Sequence, residues 1–142
     1  MNNNAENRLS NVIIGTAIRL HRQLGPGLLE SVYEHILAHE LKKQDYQVLQ
    51  QQPVPLVHDD IKLEAGFRID LMVENKVLVE IKSVEALAPV HFAQTLTYLK
   101  VSGLKLGLLI NFTGTVLKNG LRRVVTNLYF GPSLFCVSRE GR

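Results

Sequence analysis

Apolar residues recur at helical spacing along the first third of the chain and at alternate positions through its middle. Over about residues 7–24, Leu9, Val12, Ile13, Ala17, Leu20 and Leu24 fall mostly three or four apart, which predicts an amphipathic helix. Gly25-Pro26-Gly27 ends it, since neither residue type sustains a helix. A second helix is expected over about 28–43, with Leu29, Val32, Tyr33, Ile36, Leu37 and Leu41 on one stripe.

The period then shortens to two. Residues 48–57 and 62–73 read as extended, and Pro53 and Pro55 place the first at a sheet edge, because proline has no N–H for a neighbouring strand. Phe67, Ile69, Leu71 and Val73 alternate with Arg68, Asp70 and Met72. Over 76–82, Val77, Val79 and Ile81 share one face, and Leu78, Glu80 and Lys82 share the other. Glu74-Asn75-Lys76 is the expected hairpin turn. Pro89 suits a first helical position and Gly103 a helix end, so a third helix is expected over about 89–101. Residues 106–110 are nearly all apolar, as in a strand covered on both faces. Residues 115–125 should form a turn and a further helix or strand, and 126–142 has no clear period. This element order predicts an α/β fold, a mixed sheet packed by helices.

At 142 residues the chain suits a single domain, 1–142, with a core over about 10–125 and a C-terminal extension over 126–142. Hydrophobic residues make up 46% and charged residues 20%, which excludes a wholly disordered chain. One cysteine, Cys136, excludes an internal disulfide and a cysteine-cluster zinc site, and suits a reducing, cytoplasmic setting. No run of 18 apolar residues predicts a membrane span, and the N-terminus lacks the cationic start of a signal peptide. The net charge of +3 is unevenly spread. Residues 1–70 hold seven basic and nine acidic groups, and residues 71–142 hold nine and four. The basic second half is compatible with a polyanionic partner and with ordinary solubility.

Asp70, Glu80 and Lys82 carry the candidate chemistry. If the hairpin turn is centred on Asn75, paired positions sum to 150 and Asp70 faces Glu80. Two carboxylates so placed repel, and a divalent cation would compensate them. A backbone carbonyl, that of Ile81, would extend the oxygen shell. Lys82, on the same face as Glu80, would orient or deprotonate a water, or neutralise charge on phosphorus. A solvated strand face with one Glu–Lys pair is the plainer reading of the same three residues. On the second helix Glu30 lies about 100° from Leu29, at the flank of the apolar stripe, and Glu40 also falls within it. On the third helix His91, Gln94 and Tyr98 form a row opposite Phe92, Leu96 and Leu99.

Gly27-Leu-Leu-Glu30-Ser-Val-Tyr33, Arg68-Ile-Asp70, Val79-Glu80-Ile-Lys82, Gln94-x-x-x-Tyr98-Leu99 and Gly107-Leu-Leu-Ile-Asn111-Phe112 occur in order. Together they resemble the GxxExxY proteins, a family placed in the PD-(D/E)XK nuclease superfamily. The resemblance spans about residues 10–125. It implies a restriction-endonuclease-like αβββαβ core with an extra N-terminal helix. It implies Mg2+ or Mn2+ on Asp70 and Glu80, with Lys82 as the catalytic lysine. Glu30, acting through water, and Gln94 match supporting positions, and Ile69 replaces the proline of the superfamily's name. The expected activity is metal-dependent hydrolysis of phosphodiester bonds in DNA or RNA. A catalytically silent nucleic-acid-binding or protein-assembly module of the same fold is the alternative.

Lys118, Arg122, Arg123, His91 and Tyr98 are candidate nucleic-acid contacts, although a solvated face also explains the basic trio and helix capping explains His91. His35 and His39 read as surface residues, Gly25-Pro26-Gly27 lacks the lysine of a nucleotide loop, and Cys136 reads as a buried small residue. The apolar stretch 128–137 is a candidate interface for a homodimer or a larger protein partner.

Overall fold

The computed structural model describes residues 4–126. Helices α1 (Asn4–Leu24) and α2 (Glu30–Lys43) precede strands β1 (Val48–His58), β2 (Ile61–Val73) and β3 (Val77–Lys82). Helix α3 (Pro89–Ser102) crosses to β4 (Leu106–Asn111), and a 3-10 turn (Leu117–Gly120) leads into β5 (Leu121–Val125). The sheet order is β1-β2-β3-β4-β5, antiparallel except for the parallel β3/β4 pair. Parallel neighbours require a crossover, which α3 supplies. The result is the expected mixed α/β architecture of a restriction-endonuclease-like core, with α1 as the additional helix. Residues 115–125 resolve into the 3-10 turn and a strand. Both Pro53 and Pro55 lie on the sheet-edge strand β1.

Two apolar layers hold the sheet. Ile13, Ala17 and Leu20 of α1 and Tyr33, Leu37 and Leu41 of α2 pack on Leu71, Val73, Val77, Val79, Ile81, Leu108 and Ile110. On the other face, Leu99 and Val101 of α3 pack with Val54, Leu56, Ile69 and Leu78. Every residue of β4 is buried, which accounts for its unbroken apolar run. Each fully buried aliphatic side chain contributes roughly 1.5–3 kcal/mol relative to exposure.

Helix α2 begins at Glu30, and Leu29, placed on the apolar stripe by its spacing, is the extended N-cap residue and 72% exposed. The buried face is instead Tyr33, Glu34, Leu37, Ala38 and Leu41, which draws a carboxylate inside. Alternation also fails on β2. Leu71 and Val73 face α1 and α2, whereas Ile69 and Phe67 pack with the α3 layer. Strand β1 turns over at the same level, with Val48 in the first layer and Val54 and Leu56 in the second. The break falls at Gln51, whose φ is +50°. It lies between the pairs Gln50↔Leu71 and Gln52↔Ile69, and so opposite Asp70.

Gly120 shows how tightly the loop after β4 is seated. A Cβ there would lie 2.6 Å from the Asn111 carbonyl oxygen, which is backbone and cannot swing aside. Gly120→Ala is therefore expected to lower stability by roughly 2–3 kcal/mol, because overpacking forces a backbone shift. A thermal melt indistinguishable from wild type would contradict this close approach. Among the described residues no helix is long and apolar enough to cross a membrane. Cys136 and the candidate interface at 128–137 lie outside the described residues.

Candidate active site

The β2–β3 hairpin pairs Val73 with Val77, Met72 with Leu78 and Leu71 with Val79. One step further along the same register brings Asp70 to Glu80, where the carboxylates take over the role of the backbone ladder. The Asp70 N–H donates to Glu80 Oε2 at 3.2 Å, and the Ile81 N–H donates to Asp70 Oδ2 at 2.9 Å. Glu80 is 5% exposed, and Asp70 is half-buried. Burial, and then the charge of Asp70, push the Glu80 carboxyl up to about 8, against the opposing pull of Lys82. Asp70 is raised as well, by burial first, with the Ile81 N–H, the Gln51 amide and Lys82 acting the other way.

Helix α2 supplies two further carboxylates. Gly25 and Gly27, at φ +74° and +107°, turn the chain into the helix in a conformation that suits glycine. The Tyr33 hydroxyl donates to the Gly25 carbonyl and accepts from the Leu28 N–H at 3.2 Å. Its ring stacks on Phe112 at 4.2 Å. The loop so pinned presents Glu30, whose Oε2 accepts the Ser83 N–H at 2.9 Å. The motif Gly-x-x-Glu-x-x-Tyr thus has a physical reading: the glycine makes the turn, the tyrosine holds it, and the glutamate reaches the end of β3. Asn111 fixes the other side of this corner. Its Oδ1 accepts from Val84 N at 3.1 Å and its Nδ2 donates to Val84 O at 2.8 Å.

One turn after Glu30, Glu34 is 7% exposed and is raised from the ordinary glutamate value, chiefly by burial. Gln51 Nε2 donates to Glu34 Oε1 at 2.9 Å and to Asp70 Oδ1 at 3.1 Å, and Gln50 Nε2 donates to Glu34 Oε2 at 3.2 Å. Glu30, Glu34, Gln51, Asp70 and Ser83 line an open groove of about 700 Å³.

Of the residues singled out from sequence, Asp70, Glu80, Lys82 and Glu30 come together where β3 ends. Tyr98 lies beside them. Its hydroxyl is raised first by burial and then by the charges of Glu80 and Asp70, and its ring stacks on Phe67 at 4.1 Å. Gln94 is exposed on α3, one turn earlier, and no hydrogen bond joins it to the carboxylates among the described residues. His91 Nδ1 accepts the Ala88 N–H at 2.9 Å, a capping contact at the start of α3. Arg122 shares a cross-strand row with Glu80 through Leu109, two strand spacings or roughly 10 Å away. Its Nη1 donates to the Asn119 and Leu121 carbonyls. Lys118 is exposed nearby. Arg123 faces the other way and ties β5 to Asn7 and Ser10 of α1. His35 and His39 are exposed, as expected.

Glu34, Gln51, Ser83 and Asn111 were not legible as site residues. Glu34 had a signal, because it lies four residues after Glu30 and therefore on the same helix face. Gln51 had none, since a left-handed residue within a strand leaves no mark on a sequence.

The donor set fits a hard cation. Among the described residues no three His, Cys, Asp or Glu side chains group closely enough to hold a metal by themselves. Mg2+ ordinarily takes one or two carboxylates and completes its shell with water and substrate phosphate. Asp70 and Glu80 match that demand, and positive charge between them would offset both the burial of Glu80 and the repulsion from Asp70 that raise it.

A family model described as the PD-(D/E)XK nuclease superfamily matches residues 7–124. Comparison with curated proteins finds no match. Among solved structures, the one titled "Crystal structure of SSO0001" aligns with a TM-score of 0.52 at 16% identity, over 78% of this chain and 56% of that one. The chain thus spans little more than half the length of that structure, and at such identity the likeness concerns the fold.

Proposed function

The chain belongs to the PD-(D/E)XK nuclease superfamily, and from that premise we propose that it hydrolyses phosphodiester bonds in DNA or RNA, with Mg2+ or Mn2+ at the Asp70–Glu80 pair. Within the superfamily its motifs resemble those of the GxxExxY proteins. The observation that carries this reading is the convergence of two hydrogen-bonded carboxylates with a lysine two residues further along the same strand face.

Asp70, Glu80 and the Ile81 carbonyl would hold the cation, with Glu30 reaching it through water. So held, a divalent cation stabilises charge on a phosphoryl oxygen and lowers the pKa of a water molecule. Lys82 projects from the same face of β3 as Glu80, where its ammonium orients the attacking water and neutralises charge building on phosphorus. The backbone N–H of Ser83 keeps Glu30 turned toward the groove. Gln94 supports the site from α3, Tyr98 and His91 contact the bound strand, and Lys118 and Arg122 neutralise phosphates further along it.

The test is incubation of the chain with single- and double-stranded DNA and RNA in Mg2+, in Mn2+ and in EDTA. Cleavage of at least one substrate with metal and none in EDTA is expected. Salt-sensitive binding with no cleavage on any substrate, unchanged in Asp70→Asn and Glu80→Gln, would reject the nuclease in favour of a silent binding module.

A further inference from the structure

Two unusual features coincide at Gln51. It is a non-glycine residue held at φ +50° inside a strand, a region that residues with a Cβ avoid. Its exposed side chain places one amide nitrogen between two carboxylates, 2.9 Å from Glu34 Oε1 and 3.1 Å from Asp70 Oδ1. A strained backbone persists only where its surroundings impose it, and such strain concentrates at functional sites.

The hydrogen bonds show what this arrangement does. Asp70 is gripped from both ends, Oδ2 by the Ile81 N–H and Oδ1 by the Gln51 amide. Its rotation is therefore set, while each oxygen keeps a further lone pair. Glu34 is a second carboxylate bound to the same amide as Asp70, and the two charges repel. The amide between them presents N–H to both, and Gln50 holds the other oxygen of Glu34 at 3.2 Å. An extended residue at 51 would keep its strand's alternation and leave the side chain elsewhere. The left-handed turn therefore accompanies both the reversal of β1 and the bridging amide.

We propose that Gln51 is a positioning residue of the Asp70–Glu80 cation site, fixing the orientation of Asp70 through its amide, at the expense of fold stability in its own backbone. This rests on the function proposed above. It makes a prediction that a plain structural role does not, because the backbone and the side chain pull in opposite directions. Glycine accepts a positive φ without strain, so Gln51→Gly relieves the backbone while deleting the amide. Asparagine tolerates the same conformation but is one methylene too short to bridge both carboxylates.

The experiment measures thermal melts in EDTA and Mn2+ affinity by calorimetry for wild type, Asp70→Asn, Gln51→Gly and Gln51→Asn. Gln51→Gly is expected to melt within about 3 °C of wild type or above it, yet to bind Mn2+ at least roughly ten-fold more weakly, as loss of a residue that orients a ligand does. Gln51→Asn is expected to weaken binding in the same direction. Mn2+ affinity within two-fold of wild type in both variants would overturn the proposal, and so would a Gln51→Gly protein that melts far below wild type. If Asp70→Asn abolishes binding while both Gln51 variants retain it, this inference alone fails. If wild type itself binds no Mn2+, the cation site of the proposed function fails and this inference with it.

Discussion

Lys82→Ala is expected to slow metal-dependent cleavage by at least about a thousand-fold while leaving nucleic-acid affinity within a few-fold of wild type. The ammonium sits on the face of β3 that carries Glu80, and its charge reaches both Glu80 and Asp70. On the proposed function, its removal would take away charge stabilisation that develops only in the transition state, of a kind ordinarily worth 10²–10³ in rate, together with the orientation of water. Loss of a transition-state contact lowers kcat and kcat/KM together, and single-turnover cleavage at saturating protein reads it directly. Lys82→Arg separates the work of the positive charge from deprotonation of the attacking water. Arginine keeps the positive charge but does not surrender a proton. Recovery to within about ten-fold of wild type would assign the lysine to charge neutralisation. Lys82→Ala protein that cleaves at more than a tenth of the wild-type rate would remove the lysine from the mechanism.

The second large effect is on stability. The Glu80 carboxyl titrates near 8 in the folded chain against an ordinary 4.5. Below pH 4.5 both folded and unfolded chains hold this proton, and its contribution to stability is complete. Between 4.5 and about 8 the unfolded chain releases the proton and the folded chain does not. Stability then falls by up to about 1.4 kcal/mol per pH unit. Above 8 both states are ionised and the loss is complete. Asp70 and Glu34 are raised as well, so their contributions run in the same direction. In EDTA the melting temperature should therefore drop between pH 5 and pH 8, by roughly 5–10 °C at about 3 °C per kcal/mol.

Mn2+ at pH 8 should restore much of that drop, since a ligand that binds only the folded state stabilises it by mass action. Glu80→Gln removes the buried charge and is close to isosteric. It should melt above wild type at pH 8 in EDTA, show a flatter pH profile, and gain nothing from Mn2+. A wild-type profile that is level from pH 5 to pH 8 in EDTA would show that Glu80 does not carry this burden. The two predictions are independent, because the first reads chemistry at bound substrate and the second reads proton linkage with no substrate present.

The approach of Asp70 to Glu80 is written in the local sequence. A three-residue turn at Glu74-Asn75-Lys76 sets the register of β2 on β3, and that register carried one step past Leu71↔Val79 brings Asp70 to Glu80. The same holds for the apolar β4 and for the crossover helix bounded by Pro89 and Gly103. These features depend on neighbours in the chain, where steric preference, proline, glycine and periodicity act over a few residues. The start of α2 was less legible. Leu29 had the right spacing for the stripe, but the loop held by Tyr33 leaves it outside the helix and exposed.

Local pattern determined the hairpin and the placement of both carboxylates and the lysine. Only the tertiary structure decided what surrounds them. Glu34 enters the site because α2 packs with that side inward, and Gln51 because β1 and β2 turn over together between Leu71 and Ile69. Arg123 leaves the basic trio because α1 offers it Asn7 and Ser10. Each of these contacts joins residues at least 17 positions apart. It depends on how strands twist and how helices seat on them, and side-chain spacing along a chain does not encode those angles.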